Sequence, residues 1–313
     1  VTTVVKIGGA RAVDPAGALS DVATLANEEE QDVAVVHGGS TAVDETLERM
    51  GIEPEYVETP SGVVGRFTDA ETMEVFEMVF GHLSTQLVAG LQSQGVDAVG
   101  LNGVDGKLLY GPRKSAVRVV EDGKRKVRRG DHSGTIKQVN AELLETLLAD
   151  GYTPVASPPM AGKDEDAVVP VNTDADRSAA HVASALGATL VLLTDVKGIY
   201  ADPDDPSTLI ESVETPADWA ALESAAEGFM GRKVMAIEEA LSGGADEVVV
   251  ASANADDPIL AALAGGGTHV HASALDASDE GDGASDGGNG ADDEGANDAD
   301  ASVESENDTS EGE

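Results

Sequence analysis

Short β-branched runs alternate with longer amphipathic stretches through the first 275 residues. Strands are expected at residues 3–7, 33–36, 97–101, 154–157, 190–194 and 247–251. Several of these runs are apolar on both faces, as a strand covered on both sides of a parallel sheet must be. One helix is expected to start at Asp14-Pro15, an N-cap followed by proline at the first helical position. Others are expected at 42–50, 70–94, 135–149, 174–186 and 231–241. This alternation predicts an α/β fold around a mostly parallel sheet. Ligands then belong at the C-terminal ends of the strands, on loops that lead into helices.

The rhythm breaks between Asn102 and His132, where Gly- and Arg-rich sequence carries short alternating runs. Residues 115–121 and 124–129 flank Asp122-Gly123, a two-residue hairpin turn signal. A β-hairpin is expected there, spanning about 107–131.

Composition narrows the class. The 313 residues include no cysteine, so neither a disulfide framework nor a cysteine metal site is available. The apolar run of Val4, Val5 and Ile7 is cut off by Gly8 and Gly9, which does not read as a signal peptide. No stretch approaches the roughly 18 apolar residues of a membrane helix, and a cytoplasmic protein is expected. Acids number 59 against 19 basic residues, a formal net charge of −40. Either a cationic partner or a halophilic surface, whose self-repulsion is screened by salt, accounts for such an excess. The acids are spread along the whole chain, which favours the salt-adapted surface. Nucleic-acid binding by bulk electrostatics is disfavoured. The last stretch, 276–313, holds 15 of the acids and no Lys or Arg, in a background of Gly, Ala, Ser and Asn. It is expected to be a disordered acidic tail, because it has too little apolar surface to offset the entropy of ordering.

Two of the expected strands end in glycine turns, Lys6-Ile7-Gly8-Gly9 and His37-Gly38-Gly39-Ser40. Glycine there lets backbone N–H groups approach an anion, and the helix that follows favours negative charge. Lys6 ends a buried strand and needs an anionic partner, since an unpaired buried charge is costly. Neither a G-x-x-x-x-G-K-[ST] loop nor a G-x-G-x-x-G turn after a strand is present. His37 is read as packed at a strand end rather than as a catalytic base, and Asp195 as shaping a loop rather than as a catalytic acid.

Six segments together resemble the amino-acid kinase superfamily, in its acetylglutamate-kinase branch. They are Val5-Lys6-Ile7-Gly8-Gly9, Val36-His37-Gly38-Gly39, Gly65-Arg66-Phe67-Thr68-Asp69-Ala70-Glu71-Thr72-Met73, Asn172-Thr173-Asp174-Ala175-Asp176, Leu193-Thr194-Asp195-Val196-Lys197-Gly198-Ile199-Tyr200 and Gly228-Phe229-Met230-Gly231-Arg232-Lys233. Gly267-Thr268-His269-Val270 resembles the family's closing strand. Ser40 and Phe229 stand where the branch usually has glycine. The resemblance implies a three-layer αβα sandwich of the carbamate kinase-like type, with ATP as co-substrate together with Mg²⁺. It further implies that Lys6 and Lys233 stabilise charge on the phosphoryl group in transfer, and that Asp176 holds both lysines. Arg66 and Asn172 would grip the acceptor's main-chain carboxylate end. Gly8, Gly9, Gly38, Gly39 and Ser40 would line the phosphoryl and acyl cradle. Thr194, Asp195, Gly198, Tyr200 and Met230 would face the nucleotide. The acceptor lobe is expected over 1–170 and the nucleotide lobe over 171–275, in a homodimer.

Eight of the 19 basic residues crowd the hairpin: Arg113, Lys114, Arg118, Lys124, Arg125, Lys126, Arg128 and Arg129. In so acidic a protein they point to a specific anionic partner rather than to a charged sheet edge alone. The segment from Arg113 to Gly134 resembles the hairpin of LysW-aminoadipate/LysW-glutamate kinases. That resemblance implies an acidic carrier protein, LysW, which bears the amino acid whose side-chain carboxylate becomes an acyl phosphate in lysine or arginine biosynthesis. Glutamate and α-aminoadipate differ by one methylene, and both remain open. The alternatives are an N-acetylglutamate kinase and a non-catalytic binder of the carrier or of an amino acid. A pure binder has no use for both phosphoryl lysines.

Overall fold

A computed structural model describes residues 2–8, 15–60, 62, 64–121, 123–226 and 229–276. The chain opens with strand β1 (Thr2–Ile7), helix α1 (Pro15–Asn27), β2 (Asp32–His37) and α2 (Ser40–Met50). Two three-residue strands, β3 (Tyr56–Glu58) and β4 (Val64–Arg66), pair antiparallel as a separate ribbon. Helix α3 (Ala70–Gln92) leads to β5 (Ala98–Gly103). The long hairpin follows as β6 (Leu109–Glu121) and β7 (Lys124–Gly134), then β8 (Gln138–Val139) and α4 (Ala141–Ala149). Strands β9 (Thr153–Asp164) and β10 (Ala167–Val171) form a second antiparallel pair. The remainder runs α5 (Ala175–Leu186), β11 (Thr189–Thr194), β12 (Ser212–Val213), α6 (Pro216–Ala225), α7 (Phe229–Ser242), β13 (Glu247–Ser252), α8 (Pro258–Leu263) and β14 (Thr268–His271).

The sheet reads β12-β14-β13-β11-β1-β2-β9-β6-β7, with β5 and β10 on β9 and β8 on β6. From β13 to β9 every pairing along this path is parallel. Strand β1 therefore lies at its centre, with Val4 and Val5 fully buried on opposite faces. Val4 packs with Val36, Leu192, Ala179, Ala183 and Ile237, against the layer of α5 and α7. Val5 and Ile7 pack with Val22, Leu25, Leu91 and Ile259, against α1, α3 and α8. Each such aliphatic side chain contributes about 1.5–3 kcal/mol on burial. The side chains of a strand alternate between faces, so Lys6 shares the face of Val4 and looks toward α5 and α7. Asp21 of α1 is buried as well. Its Oδ2 accepts from the backbone N–H of Ile259 at 2.7 Å and of Leu260 at 3.2 Å, tying α8 to α1.

All six expected strands form within a few residues. The expected helix at 135–149 starts later, at Ala141. The Asn140 side chain caps it by accepting from Leu143 N–H at 3.2 Å, and residues 138–139 pair with Tyr110 and Leu109 as β8. The strand expected at 154–157 runs on to Asp164, because its second half gains β6 and β10 as neighbours. The hairpin strands are likewise longer than expected, 109–121 and 124–134. Asp14, Asp122 and the acidic stretch from 277 onward lie outside the described residues. Among the described residues, no helix is long and apolar enough to cross a membrane.

Candidate active site

The in-register pairing of β1 sets Lys6 beside Val36 of β2 and Leu192 of β11, so the C-terminal ends of these three strands share one edge of the sheet. Lys6 is only 7% exposed, and its Nζ lies 2.6 Å from Asp176 Oδ1. Lys233, on the first turns of α7, reaches the other oxygen: its Nζ lies 3.0 Å from Asp176 Oδ2. One carboxylate thus holds two ammonium groups. The local sequence fixes that carboxylate, because Asp174 caps α5 by accepting from the N–H groups of Asp176 at 2.9 Å and Arg177 at 3.1 Å. Asp176 therefore occupies the first turn, where the helix dipole favours negative charge. Burial pushes its carboxyl up, but Lys6 and Lys233 outweigh burial and hold it well below the usual carboxylate range. The cluster keeps one net positive charge at the strand ends, beside the glycine turns. It is suited to a migrating anion such as a phosphoryl group.

Gly38 donates its N–H to Ile7 O at 3.0 Å, tying the second turn to the first. Gly39 precedes α2, and a Cβ there would sit 2.6 Å from Leu83 Cδ1 and 3.1 Å from the Phe80 ring, so a larger residue would have to push the Leu83 side chain aside and crowd Phe80. Gly8 lies in the first turn, while Gly9 lies outside the described residues. The His37 ring is buried and stacks on Phe80 at 5.7 Å. Its Nδ1–H donates to Gly38 O at 3.2 Å, and burial lowers its pKa to about 4. It is neutral near pH 7 and packed, as the sequence suggested.

Arg66 ends the ribbon and is gathered onto the start of α2. Its guanidinium pairs with Asp44, donates to Ser40 O at 2.9 Å, to Ser40 Oγ at 2.8 Å and to Tyr56 OH at 3.2 Å. Asn172 Nδ2 donates to Thr68 Oγ1 at 2.9 Å, and its backbone bonds with His132 and Gly134 of β7. Thr68 is fully buried and joins the ribbon exit, the hairpin base and Asn172. The sequence reading missed Asp44, Tyr56 and Thr68. Thr68 lies inside a quoted motif, but its bonds to Asp131, His132 and Asn172 bridge more than sixty residues.

On the other side, Thr194 closes β11 and donates to Asp195 Oδ1 at 3.1 Å. Gly198 is needed for close approach: a Cβ there would meet Thr268 Oγ1 at 2.7 Å and Leu209 at 2.8 Å. Thr268 Oγ1 in turn accepts from Ile199 N–H at 2.8 Å, and Tyr200 bridges to Leu209. Met230 packs on the core beneath α7, while Gly228 lies outside the described residues.

The hairpin sorts its charges by face. Lys124, Lys126 and Arg128 share a face with Val117 and Val119, and Arg118, Arg125 and Arg129 share the other with Val127. Arg113 pairs with Asp164, Lys126 with Glu121, and Arg128 with Glu55. Lys114, Arg118, Lys124, Arg125 and Arg129 are exposed and make no ion pair with the described residues. Val127, in the midst of the three arginines, is 64% exposed.

The model of the amino acid kinase family matches residues 1–252. The chain is 43% identical over 274 residues to a LysW-aminoadipate kinase of Thermus thermophilus, covering 85% of this chain and 99% of that one. It is 33% identical to a LysW-aminoadipate/LysW-glutamate kinase of Metallosphaera sedula, with the same two coverages. An acetylglutamate kinase of Methanopyrus kandleri is 42% identical over 79% of this chain and 93% of its own. Among solved structures, N-acetylglutamate synthase of Neisseria gonorrhoeae superposes with a TM-score of 0.68 at 24% identity, over 86% of this chain and only 59% of the synthase. Carbamate kinase of Giardia superposes with a TM-score of 0.61 at 16% identity, over 86% and 98% of the two chains. These structures are alike in fold.

Proposed function

The chain belongs to the amino acid kinase family, and from that premise we propose an ATP-dependent kinase acting on the side-chain carboxylate of LysW-linked glutamate or α-aminoadipate. The observation that carries the reading is the pair of lysines on one buried carboxylate at the C-terminal ends of the central strands. A carboxylate acceptor is already ionised at neutral pH, so no general base is required. The difficulty lies in joining two anions and bearing charge while the γ-phosphoryl passes from ATP to the carboxylate oxygen, leaving ADP. Positioned cations and backbone donors meet that need. Lys6 and Lys233 carry the charge, and Gly8, Gly9, Gly38, Gly39 and Ser40 form the cradle. Arg66 and Asn172 hold the main-chain carboxylate end of the acceptor.

ATP would enter as its magnesium complex, and the metal would help to neutralise charge on the phosphates. Residues 1–170 form the acceptor lobe in this reading, and 171–275, through Thr194, Asp195, Gly198, Tyr200 and Met230, the nucleotide lobe. The enzyme works in lysine or arginine biosynthesis as a cytoplasmic homodimer whose acidic surface suits high salt. The acetylglutamate kinase relative keeps N-acetylglutamate as the second reading.

The exposed hairpin face separates these acceptors. An acidic carrier is repelled by most of this surface and drawn to Arg118, Arg125 and Arg129, which orients it. In molar salt long-range attraction is screened, and close arginine hydrogen bonds supply the contact. Changing Arg118, Arg125 and Arg129 together to alanine is expected to raise KM for a LysW-linked acceptor on the order of tenfold or more. KM for ATP stays at the parent value. Parent-like KM for the carrier-linked acceptor would favour N-acetylglutamate.

A further inference from the structure

Arg128 is chemically like its neighbours on the hairpin but is differently placed. Its guanidinium makes a two-pronged ion pair with Glu55 and lies 4.1 Å from the Phe67 ring centroid. Glu55 immediately precedes β3 and Phe67 immediately follows β4. Phe67 N–H donates to Glu55 O at 2.9 Å, which closes the base of the ribbon. The next rung is the pair Tyr56 and Arg66. A three-residue ribbon outside the main sheet has little of its own to hold it in place. On one side Asp44 and Ser40 of α2 hold Arg66 and Tyr56. On the other side β7 holds the base of the ribbon through Arg128, and its exit through Thr68 O, which accepts from His132 N–H at 2.7 Å.

We infer that Arg128 is a positioning residue for Arg66. Together with Glu55 and Phe67 it clamps the ribbon to the hairpin, so that the hairpin and the acceptor-gripping arginine are set as one body. The inference rests on the reading of Arg66 as the group that holds the acceptor's main-chain carboxylate. It removes Arg128 from the arginines offered to a partner, and it gives the hairpin a role for every acceptor, carrier-linked or free.

Glu55 supplies the decisive test, because the two roles for Arg128 give opposite signs. If Arg128 were a docking residue, Glu55→Met would free it and add positive potential, lowering KM for an acidic carrier. With the clamp, Glu55→Met and Arg128→Met break the same contact. Both are expected to raise acceptor KM by roughly 3–30-fold, within the range for directly coupled pairs, and the double variant should be no worse than Arg128→Met, which also loses the Phe67 contact. Arg66 holds the acceptor alike in the ground and transition states, so kcat and KM for ATP stay near the parent values. The rise should appear with N-acetylglutamate as well as with LysW-linked glutamate, in whichever of these the parent turns over. Arg128→Lys keeps the charge but loses the fork and should fall between parent and Arg128→Met. A second readout needs no acceptor: backbone amides of residues 55–67 should exchange hydrogen faster in both methionine variants. Faster exchange with an unchanged or lowered acceptor KM would overturn the positioning role. Unchanged exchange would overturn the clamp itself, whatever the acceptor proves to be.

Discussion

Replacing Lys233 with alanine is expected to lower kcat by about 10²–10³-fold, the usual cost of losing one donor to a developing oxyanion. The ammonium stands on the first turns of α7 and shares Asp176 with Lys6, so it is held before substrate arrives and need not reorganise during transfer. Its charge matters most when the phosphoryl oxygens gain charge, which makes the loss one of kcat rather than of acceptor KM. Lys6→Ala should cost a similar factor, with a larger rise in KM if the glycine turn that follows it cradles the phosphoryl group as proposed. Single-turnover kinetics with saturating ATP and acceptor would show it. A Lys233→Ala enzyme that keeps near-parent turnover would mean that the charge is borne elsewhere.

Asp176→Ala is expected to destabilise the fold by about 3–5 kcal/mol, the typical cost of leaving buried charge without its partner. Here two lysines, with side chains 9% and 15% exposed, would be left facing each other. The same carboxylate gives the native protein part of its acid limit. Its folded pKa is depressed, so the stabilisation is fully present above the unfolded aspartate value of about 3.9 and is lost as pH falls through the folded value. Asp176→Asn should therefore unfold earlier than the parent in denaturant at pH 7, with the gap narrowing below about pH 4. Equal denaturation midpoints at pH 7 would show that the two lysines are stabilised without it.

The central sheet was legible because its strands are buried on both faces and read as unbroken apolar runs, as with 33–36 and 190–194. What was lost lay where local signals were short. Helix α6 is announced by Pro216 at its first turn and by a reciprocal cap in which Thr215 and Asp218 bond each other's backbone. The capping pattern was there to be read, but the apolar periodicity behind it is weak. Helix α8 has only six residues and owes its position to Asp21, more than two hundred residues earlier. The β3–β4 ribbon is made of three-residue strands that no periodicity can reveal.

The site divides in the same way. Lys6, Asp176 and Lys233 were legible through motifs and meet in one cluster. The hairpin's eight basic residues were legible as a group, but not their sorting. Arg113 meets Asp164 beyond a register shift between Lys114 and Ala116 that composition does not announce, and Arg128 meets Glu55 from a segment more than seventy residues away.

The most direct test of the whole account is acyl phosphate formation, trapped as the hydroxamate, with LysW-linked glutamate, LysW-linked α-aminoadipate and N-acetylglutamate offered in parallel to the parent enzyme with ATP and Mg²⁺ in molar salt. A carrier-linked acceptor is expected to have the highest kcat/KM, and this advantage to shrink when Arg118, Arg125 and Arg129 are removed. A kcat/KM for N-acetylglutamate equal to or above both carrier-linked values would contradict it.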